Sequence, residues 1–366
     1  MGGVTCPSEG VGGHRNLVHQ SPSSSDKLDG VKLLSLADLD GRWLDVESAL
    51  DATVDVDPWC SGPDWVIPVH QGFGSGAEAL LLETDGPPSS GYALLARYRL
   101  ADGRSMIAGL DPLWGFASPL LGADVESTTE QLSGHLVTDG GWDVLVLPGM
   151  PSPEGPSSFT ARVVRGLADL GTVRAGEGIT RQLADLSGGY DAWLDRRASR
   201  FRRNLRKATE RAREAGVSFV DLSTEVDVFD RLLEIERRSW KGADASGITS
   251  SDMGATYRAM VDRLRARDRL RIHVARRQNA DIGYILGGVR AGRYRGLQLS
   301  YTTDAAELSV GHLLQDHQIR LLCATGEADT YDLGMDLDYK RRWADRAETS
   351  FTIMIDRNGA DGAAGR

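Results

Sequence analysis

Residues 297–343 constrain the fold more than any other part of the chain. Leu297-Gln298-Leu299-Ser300-Tyr301-Thr302 is rich in strand formers, and Asp304-Ala305-Ala306-Glu307 breaks that pattern before a helix predicted to begin near Ser309. Val310, Leu313, Leu314, His317 and Leu321 recur on one face of this helix, and Ile319 and Leu322 fall on other sides, so it is expected to be covered on more than one side. Thr330-Tyr331-Asp332-Leu333-Gly334 then returns as a strand. It ends in Met335-Asp336-Leu337-Asp338-Tyr339-Lys340-Arg341-Arg342-Trp343, where carboxylates, a phenol and three cations crowd together. Ser309 is a natural helix cap, and Gly311 lets a ligand approach the first turn, where free N–H groups and the helix dipole favour an anion such as a phosphate. An ordinary buried strand–helix–strand crossover has the same pattern, so the rest of the chain must decide.

With 366 residues, two domains are expected rather than one. The net charge of −10 argues against a general nucleic-acid binder, although a local basic patch is compatible with it. Cys6, Cys60 and Cys323 are far apart and lack metal-ligand spacing, which argues against a disulfide framework or a zinc site and for a reducing compartment. No apolar run approaches the roughly 20 residues of a membrane span, and the first residues lack a signal-peptide core, so a cytoplasmic protein is expected.

The chain opens with a Gly-, Ser- and Pro-rich leader expected to be disordered. The first half then alternates helices and strands and offers few catalytic candidates. Its Trp59, Trp65 and Trp114 sit in turn-rich segments, where they either line a groove or close over a core. The second half begins with the most basic run of the protein, residues 196–213. Phe201, Leu205, Ala208, Ala212 and Ala215 form one helical stripe there, while Arg202, Arg203, Arg206, Lys207 and Arg213 point elsewhere. Such a face is either a solvated surface or a rim that attracts an acidic ligand. Residues 270–303 read as a meander of antiparallel strands, which a plain doubly wound sheet would not contain.

Several of these segments together carry a resemblance. Ser199-Arg200-Phe201-Arg202-Arg203-Asn204-Leu205-Arg206-Lys207, Arg238-Ser239-Trp240-Lys241-Gly242, Tyr301, Leu308-Ser309-Val310-Gly311, Tyr331-Asp332-Leu333-Gly334 and Asp338-Tyr339-Lys340-Arg341-Arg342-Trp343 resemble the cellulose-biosynthesis and BioF2-like branch of the Gcn5-related N-acetyltransferase (GNAT) superfamily. The earlier half is similar in outline, as the degenerate first copy of a tandem pair, a plan also used by the Fem aminoacyl transferases. The resemblance implies an α/β (α+β) protein of tandem GNAT domains, each a mixed, largely antiparallel sheet flanked by helices. The expected divisions are a leader over 1–28, a degenerate domain over 29–186, the acyltransferase domain over 187–357 and a flexible tail over 358–366.

It further implies an acyltransferase using acetyl-coenzyme A or another acyl-coenzyme A, with a small-molecule amine or amino sugar as acceptor. An amine attacks a thioester, so the protein must hold a pyrophosphate, polarise a carbonyl and manage one proton. By resemblance, Tyr301 and Thr302 end the strand that bonds the pantetheine arm, and Ser309, Val310, Gly311 and His312 cradle the pyrophosphate, with Lys340 and Arg341 meeting phosphates. Asp332 or Asp336 would act as base, and Tyr339 or Tyr331 would protonate the leaving thiolate. Trp240, Lys241, Arg203 and Asn204 are expected at the acceptor, beside a loop over residues 243–252. Only Gly311 matches the basic or Gln-containing phosphate loop of more familiar acetyltransferases. Two other functions fit the sequence: a Fem-like transferase using aminoacyl-tRNA, with the basic helix on the RNA, and a binding module without turnover.

Overall fold

A computed structural model describes residues 27, 28, 30–74, 76–86, 89–243 and 247–357. The expected leader up to residue 26, the tail over 358–366 and residues 244–246 of the expected loop lie outside the described residues. Strands in the first half are β1 (Lys27–Leu28), β2 (Val31–Leu34), β3 (Glu78–Thr84), β4 (Gly91–Arg99), β5 (Ser105–Gly109), β6 (Leu120–Leu121), β7 (Val144–Met150), β8 (Gly171–Ala175) and β9 (Ile179–Asp185). The second half supplies β10 (Val217–Asp221), β11 (Leu270–Arg277), β12 (Ala280–Arg290), β13 (Arg293–Tyr301), β14 (Thr330–Met335) and β15 (Arg346–Arg357). They form one continuous sheet in the order β1-β2-β3-β4-β5-β7-β15-β9-β14-β13-β12-β11-β10, with β6 beside β4 and β8 beside β15.

Two pairs run parallel, β5 with β7 and β13 with β14, and the remaining pairs of the described residues are antiparallel. A helix crosses over between the strands of each parallel pair, Val125–Asp139 in the first half and Val310–Thr325 in the second. The same strand–helix–strand unit therefore occurs twice, each time at the end of an antiparallel meander, as a tandem pair of mixed sheets requires. The halves exchange strands at their seam. β15, the last strand, pairs with β7 and β8 of the first half, whereas β9, before the expected boundary at residue 186, pairs with β14 and β15.

The sequence places the helix at Ser309 and the strand at Thr330 within a residue of where they lie. It starts β13 too late. The chain reverses in two residues, Ala291 and Gly292, with φ of 48° and 69°, so Arg293 is already opposite Arg290 and residues 293–296 belong to the strand. That correction brings Arg295, ahead of the expected start at Leu297, into the sheet.

Apolar packing and charge pairing both hold the halves together. Trp59, Cys60 and Trp65 of the first half share a core with Tyr257, Met260, Leu264, Tyr284 and Leu286 of the second. Around it, Arg269 bonds Glu47 and lies 3.0 Å from Asp64, Arg290 lies 2.7 Å from Asp51, and Arg267 pairs with Asp64. Among the described residues, no helix is long and apolar enough to cross a membrane.

Breaking one member of a nearly buried charge cluster leaves its partners uncompensated. Arg269→Ala is expected to cost about 3 kcal/mol, read as a lower urea midpoint, because Glu47 keeps its burial and loses its bonded cation, with only Arg290 left at 3.7 Å, while Asp64 keeps Arg267. An unchanged midpoint would show that these charges do not hold the halves together.

Candidate active site

β13 and β14 are in register for three pairs, Arg293 with Thr330, Tyr294 with Tyr331 and Arg295 with Asp332, and then part. Past this fork no strand of the described residues lies beside that edge of β13, and its carbonyls meet side chains instead. Tyr257 Oη donates to the Leu297 carbonyl at 3.3 Å, and Lys241 Nζ donates to the Leu299 carbonyl and to Gln298 Oε1, both at 2.9 Å. The fork opens into a cleft of about 670 Å³ lined by both halves. Trp65, Trp114 and Phe116 form the wall from the first half, with the Trp65 and Trp114 rings 4.8 Å apart and Trp114 edge-on to Tyr257. Trp240, Lys241, Tyr301, Gln315, Tyr339 and Lys340 are among the side chains that enclose it from the second half.

A buried ionic cluster fixes the fork at its last paired position. Asp332 is fully buried, and its Oδ1 lies 2.7 Å from Arg295 Nη1 and accepts the Gly334 amide at 2.8 Å, while Oδ2 lies 3.3 Å from Arg181 Nη1. Arg181 also pairs with Asp57 of the first half and, at 3.2 Å, with Glu348. Arg293 adds a third cation within 3.7 Å of both Asp57 and Glu348. Burial alone would raise the Asp332 pKa, but Arg295, Arg181 and the Gly334 amide outweigh it and hold the carboxyl down to about 2. Such a carboxylate is an anchor for two guanidiniums and a poor base. Its place beneath the cleft, outside the lining, agrees with that.

The helix Val310–Thr325 points its first turn into the same cleft. Ser309 adopts a left-handed conformation, φ 59°, and its side chain does not cap the helix; its Oγ accepts from Arg211 Nη2 at 3.4 Å. The amides of His312 and Leu313 bond to the Ser309 carbonyl, and among the described residues no hydrogen bond is made by those of Val310 and Gly311. Both remain as donors, with the Arg211 guanidinium beside the turn, so the chemistry of the site suits a pyrophosphate although the loop itself carries no basic side chain. Gly311 is required by packing, since a Cβ there would lie 2.8 Å from the Tyr301 ring. His312 stacks on the buried Trp343, and burial lowers its pKa, so it faces the cleft as a neutral ring.

Of the residues expected from sequence, Tyr301, Ser309, Gly311, His312, Tyr331, Tyr339, Lys340, Trp240 and Lys241 meet in the cleft. The others are placed elsewhere for physical reasons. Thr302 is buried, with its amide and hydroxyl on the Ile282 carbonyl, and the Val310 side chain is in the core. Asp336 and Arg341 form a surface pair at 2.7 Å outside the lining. Arg203 and Asn204 lie on the exposed face of the helix Ser199–Glu214. Arg295, Tyr257, Gln298 and Gln315 were missed, and Trp65 and Trp114 line the cleft while Trp59 closes over the core. Burial raises the Tyr339 pKa. Burial and the Arg295 charge lower that of Lys340 to about 8.

The equivalent opening in the first half is filled. There the backbone at Ala117 and Ser118 lies against Gly149, whose φ of 68° and lack of Cβ permit the approach, and the Pro119 carbonyl accepts the Leu94 amide at 2.7 Å. The segment that fills this fork also presents Trp114 and Phe116 to the other.

Residues 199–341 match the acetyltransferase (GNAT) domain family, so the second half carries a domain of that type. No curated protein sequence matches the chain. Solved structures share the fold at low identity. FemX superimposes with a TM-score of 0.60 at 10% identity, over 84% of this chain and 95% of that one. A conserved protein of unknown function from Bacteroides thetaiotaomicron VPI-5482 gives 0.56 at 9% identity, over 88% and 98%. The C-terminal domain of a putative lysylphosphatidylglycerol synthetase from Agrobacterium fabrum gives 0.51 at 14% identity, over 90% and 94%. The fold is thus α/β, of tandem GNAT type.

Because the folded-state pKa of Asp332 lies below its ordinary value of 3.8, its ionised form stabilises the protein above that value, and the contribution is lost as pH falls toward about 2. Asp332→Asn is therefore expected to lower the urea midpoint at neutral pH by the equivalent of about 3 kcal/mol, with the gap to wild type narrowing as the pH is lowered below 4. Equal midpoints at neutral pH would contradict the anchoring role.

Proposed function

We propose that the protein is an N-acyltransferase that moves an acyl group, acetyl in the simplest case, from acyl-coenzyme A to an amine of a small molecule or amino sugar by direct attack. The observation that carries this reading is the convergence of an unpaired strand edge and a helix start with open amides on one cleft. The motifs around Trp240, Ser309 and Tyr339 support placement in the cellulose-biosynthesis and BioF2-like branch. The free thiols Cys60 and Cys323 support a cytoplasmic location.

In this reading the amides of Val310 and Gly311, with Arg211 beside them, hold the pyrophosphate, and the fork receives the thioester. The amine lone pair attacks the carbonyl carbon, the C–S bond breaks, and the thiolate takes a proton from Tyr339, whose raised pKa keeps it protonated at neutral pH. Among the described residues no carboxylate lines the cleft, and this reading gives none of them the role of base. Lys340 and Lys241 instead disfavour a second positive charge, which shifts the acceptor toward its free-base, nucleophilic form and lets its proton pass to water after attack. Asp332 and Asp336 are thereby assigned to structure.

The exposed cationic face at Arg203, Arg206 and Lys207 favours one alternative, a Fem-like reaction on aminoacyl-tRNA. A binding module without turnover is the other.

Acetyl-coenzyme A is expected to raise the melting midpoint, since a ligand at 100 times its Kd adds about 2.7 kcal/mol to the folded state. No shift at saturation, with salt-sensitive tRNA binding in its place, would favour the Fem-like reading. Tyr339→Phe is expected to lower kcat by about 10²-fold with little change in acetyl-coenzyme A affinity. Unaltered turnover would remove Tyr339 from the mechanism.

A further inference from the structure

The charge inside the cleft bears on which amine it accepts, and the argument rests on the transfer reaction proposed above. Among the described residues three charged side chains line the cleft, Lys241, Arg295 and Lys340, and all three are cationic. Arg295 is neutralised by Asp332 at 2.7 Å. Lys241 is fixed by its bonds to Gln298 and the Leu299 carbonyl, with the fully buried Glu236 behind it at 3.9 Å. Lys340 differs: it forms no ion pair among the described residues, and burial with the repulsion of Arg295 and Lys241 outweighs the attraction of Asp332 and Asp336. The acids nearest to it are already engaged, Asp332 by two arginines and Asp336 by Arg341. A partly desolvated ammonium held beside two other cations is a strong electrostatic demand for an anion from outside the chain.

The rest of the cleft limits what that anion is attached to. Its far wall is aromatic, Trp65, Trp114 and Tyr257, with room for an apolar group. A phosphate is better served at the start of the helix Val310–Thr325, where paired amides and Arg211 converge, than by separate ammonium groups at the fork. We propose that the acceptor is an amine that also carries a carboxylate, of the apolar amino acid class, with the carboxylate on Lys340 and Lys241 and the apolar side chain against the tryptophan wall. One molecule then supplies an anion for Lys340 and the amine that the reaction uses.

The test is calorimetric titration of the full chain, with and without coenzyme A, using paired ligands that differ by the carboxylate: L-phenylalanine against phenethylamine and L-leucine against isopentylamine, with O-phosphoethanolamine beside them. Each amino acid is expected to bind at least about tenfold more tightly than its decarboxylated partner, a difference of about 1.4 kcal/mol. Lys340→Met should erase that preference while coenzyme A affinity stays the same, and Lys340→Arg should restore most of it, which a merely structural role for Lys340 would not produce. Amines that bind as well as the amino acids, tighter binding of O-phosphoethanolamine, no binding of either amino acid at millimolar concentration, or a loss of coenzyme A affinity in Lys340→Met would each overturn the proposal. If coenzyme A alone fails to bind, the transfer reaction falls, while the paired comparison on the free protein still decides the carboxylate preference.

Discussion

The ion pair between Arg295 and Asp332 sits where two parallel strands stop pairing, and the site depends on it. A strand that leaves its neighbour exposes backbone donors and acceptors, which must be satisfied by side chains or a ligand. Here the departure is pinned on both sides: Arg295 of β13 and Arg181 of β9 grip the one carboxylate of β14 at 2.7 and 3.3 Å. Arg295 is covered in turn by the Phe116 ring, 4.8 Å from its guanidinium carbon. Removing these charges from water is costly, and the cost is offset by near-complete pairing among Asp57, Asp332, Glu348, Arg181, Arg293 and Arg295. Once Asp332 is committed to that cluster, Lys340 in the cleft above it has no ion pair among the described residues.

The tandem arrangement explains why a half without an open fork of its own is present. The loop that fills the first fork carries Trp114 and Phe116, and the helix Pro63–Phe73 carries Trp65, so the second cleft takes one wall from the first half. Exchange of β9 and β15 across the seam and the pairing of Arg269 and Arg290 with first-half acids fix that wall relative to the fork. An isolated second half would have a cleft open on its aromatic side and a line of unpaired arginines. The two copies are better described as one site with a support than as two sites of which one is lost.

Much of this was legible in local pattern. The helix after Ser309, the strand at Thr330, and the cleft positions of Tyr301, Gly311, Tyr339, Lys340, Trp240 and Lys241 follow from periodicity and from a family resemblance, since they lie on segments whose neighbours in sequence are also neighbours in space. Arg295 falls ahead of the expected strand start at Leu297, because the reversal before it takes only Ala291 and Gly292. The ion pairs of Asp332 were hidden for a different reason. Nothing near it in sequence reveals its partners, and Arg181 is 151 residues away, so a carboxylate at a strand end looks the same whether free or bound. Trp65 and Trp114 were undecidable for the same reason, as their environment is built by Tyr257 and the fork, both from the other half.

The central claim, that this fork and the adjoining helix start receive an acyl thioester, is tested most directly by a crystal structure of the protein with coenzyme A. The account predicts the pyrophosphate at the amides of Val310 and Gly311 and the thiol between the diverging ends of β13 and β14, next to Tyr339. Coenzyme A bound at another surface, or a cleft that stays free of it at saturating concentration, would contradict the claim.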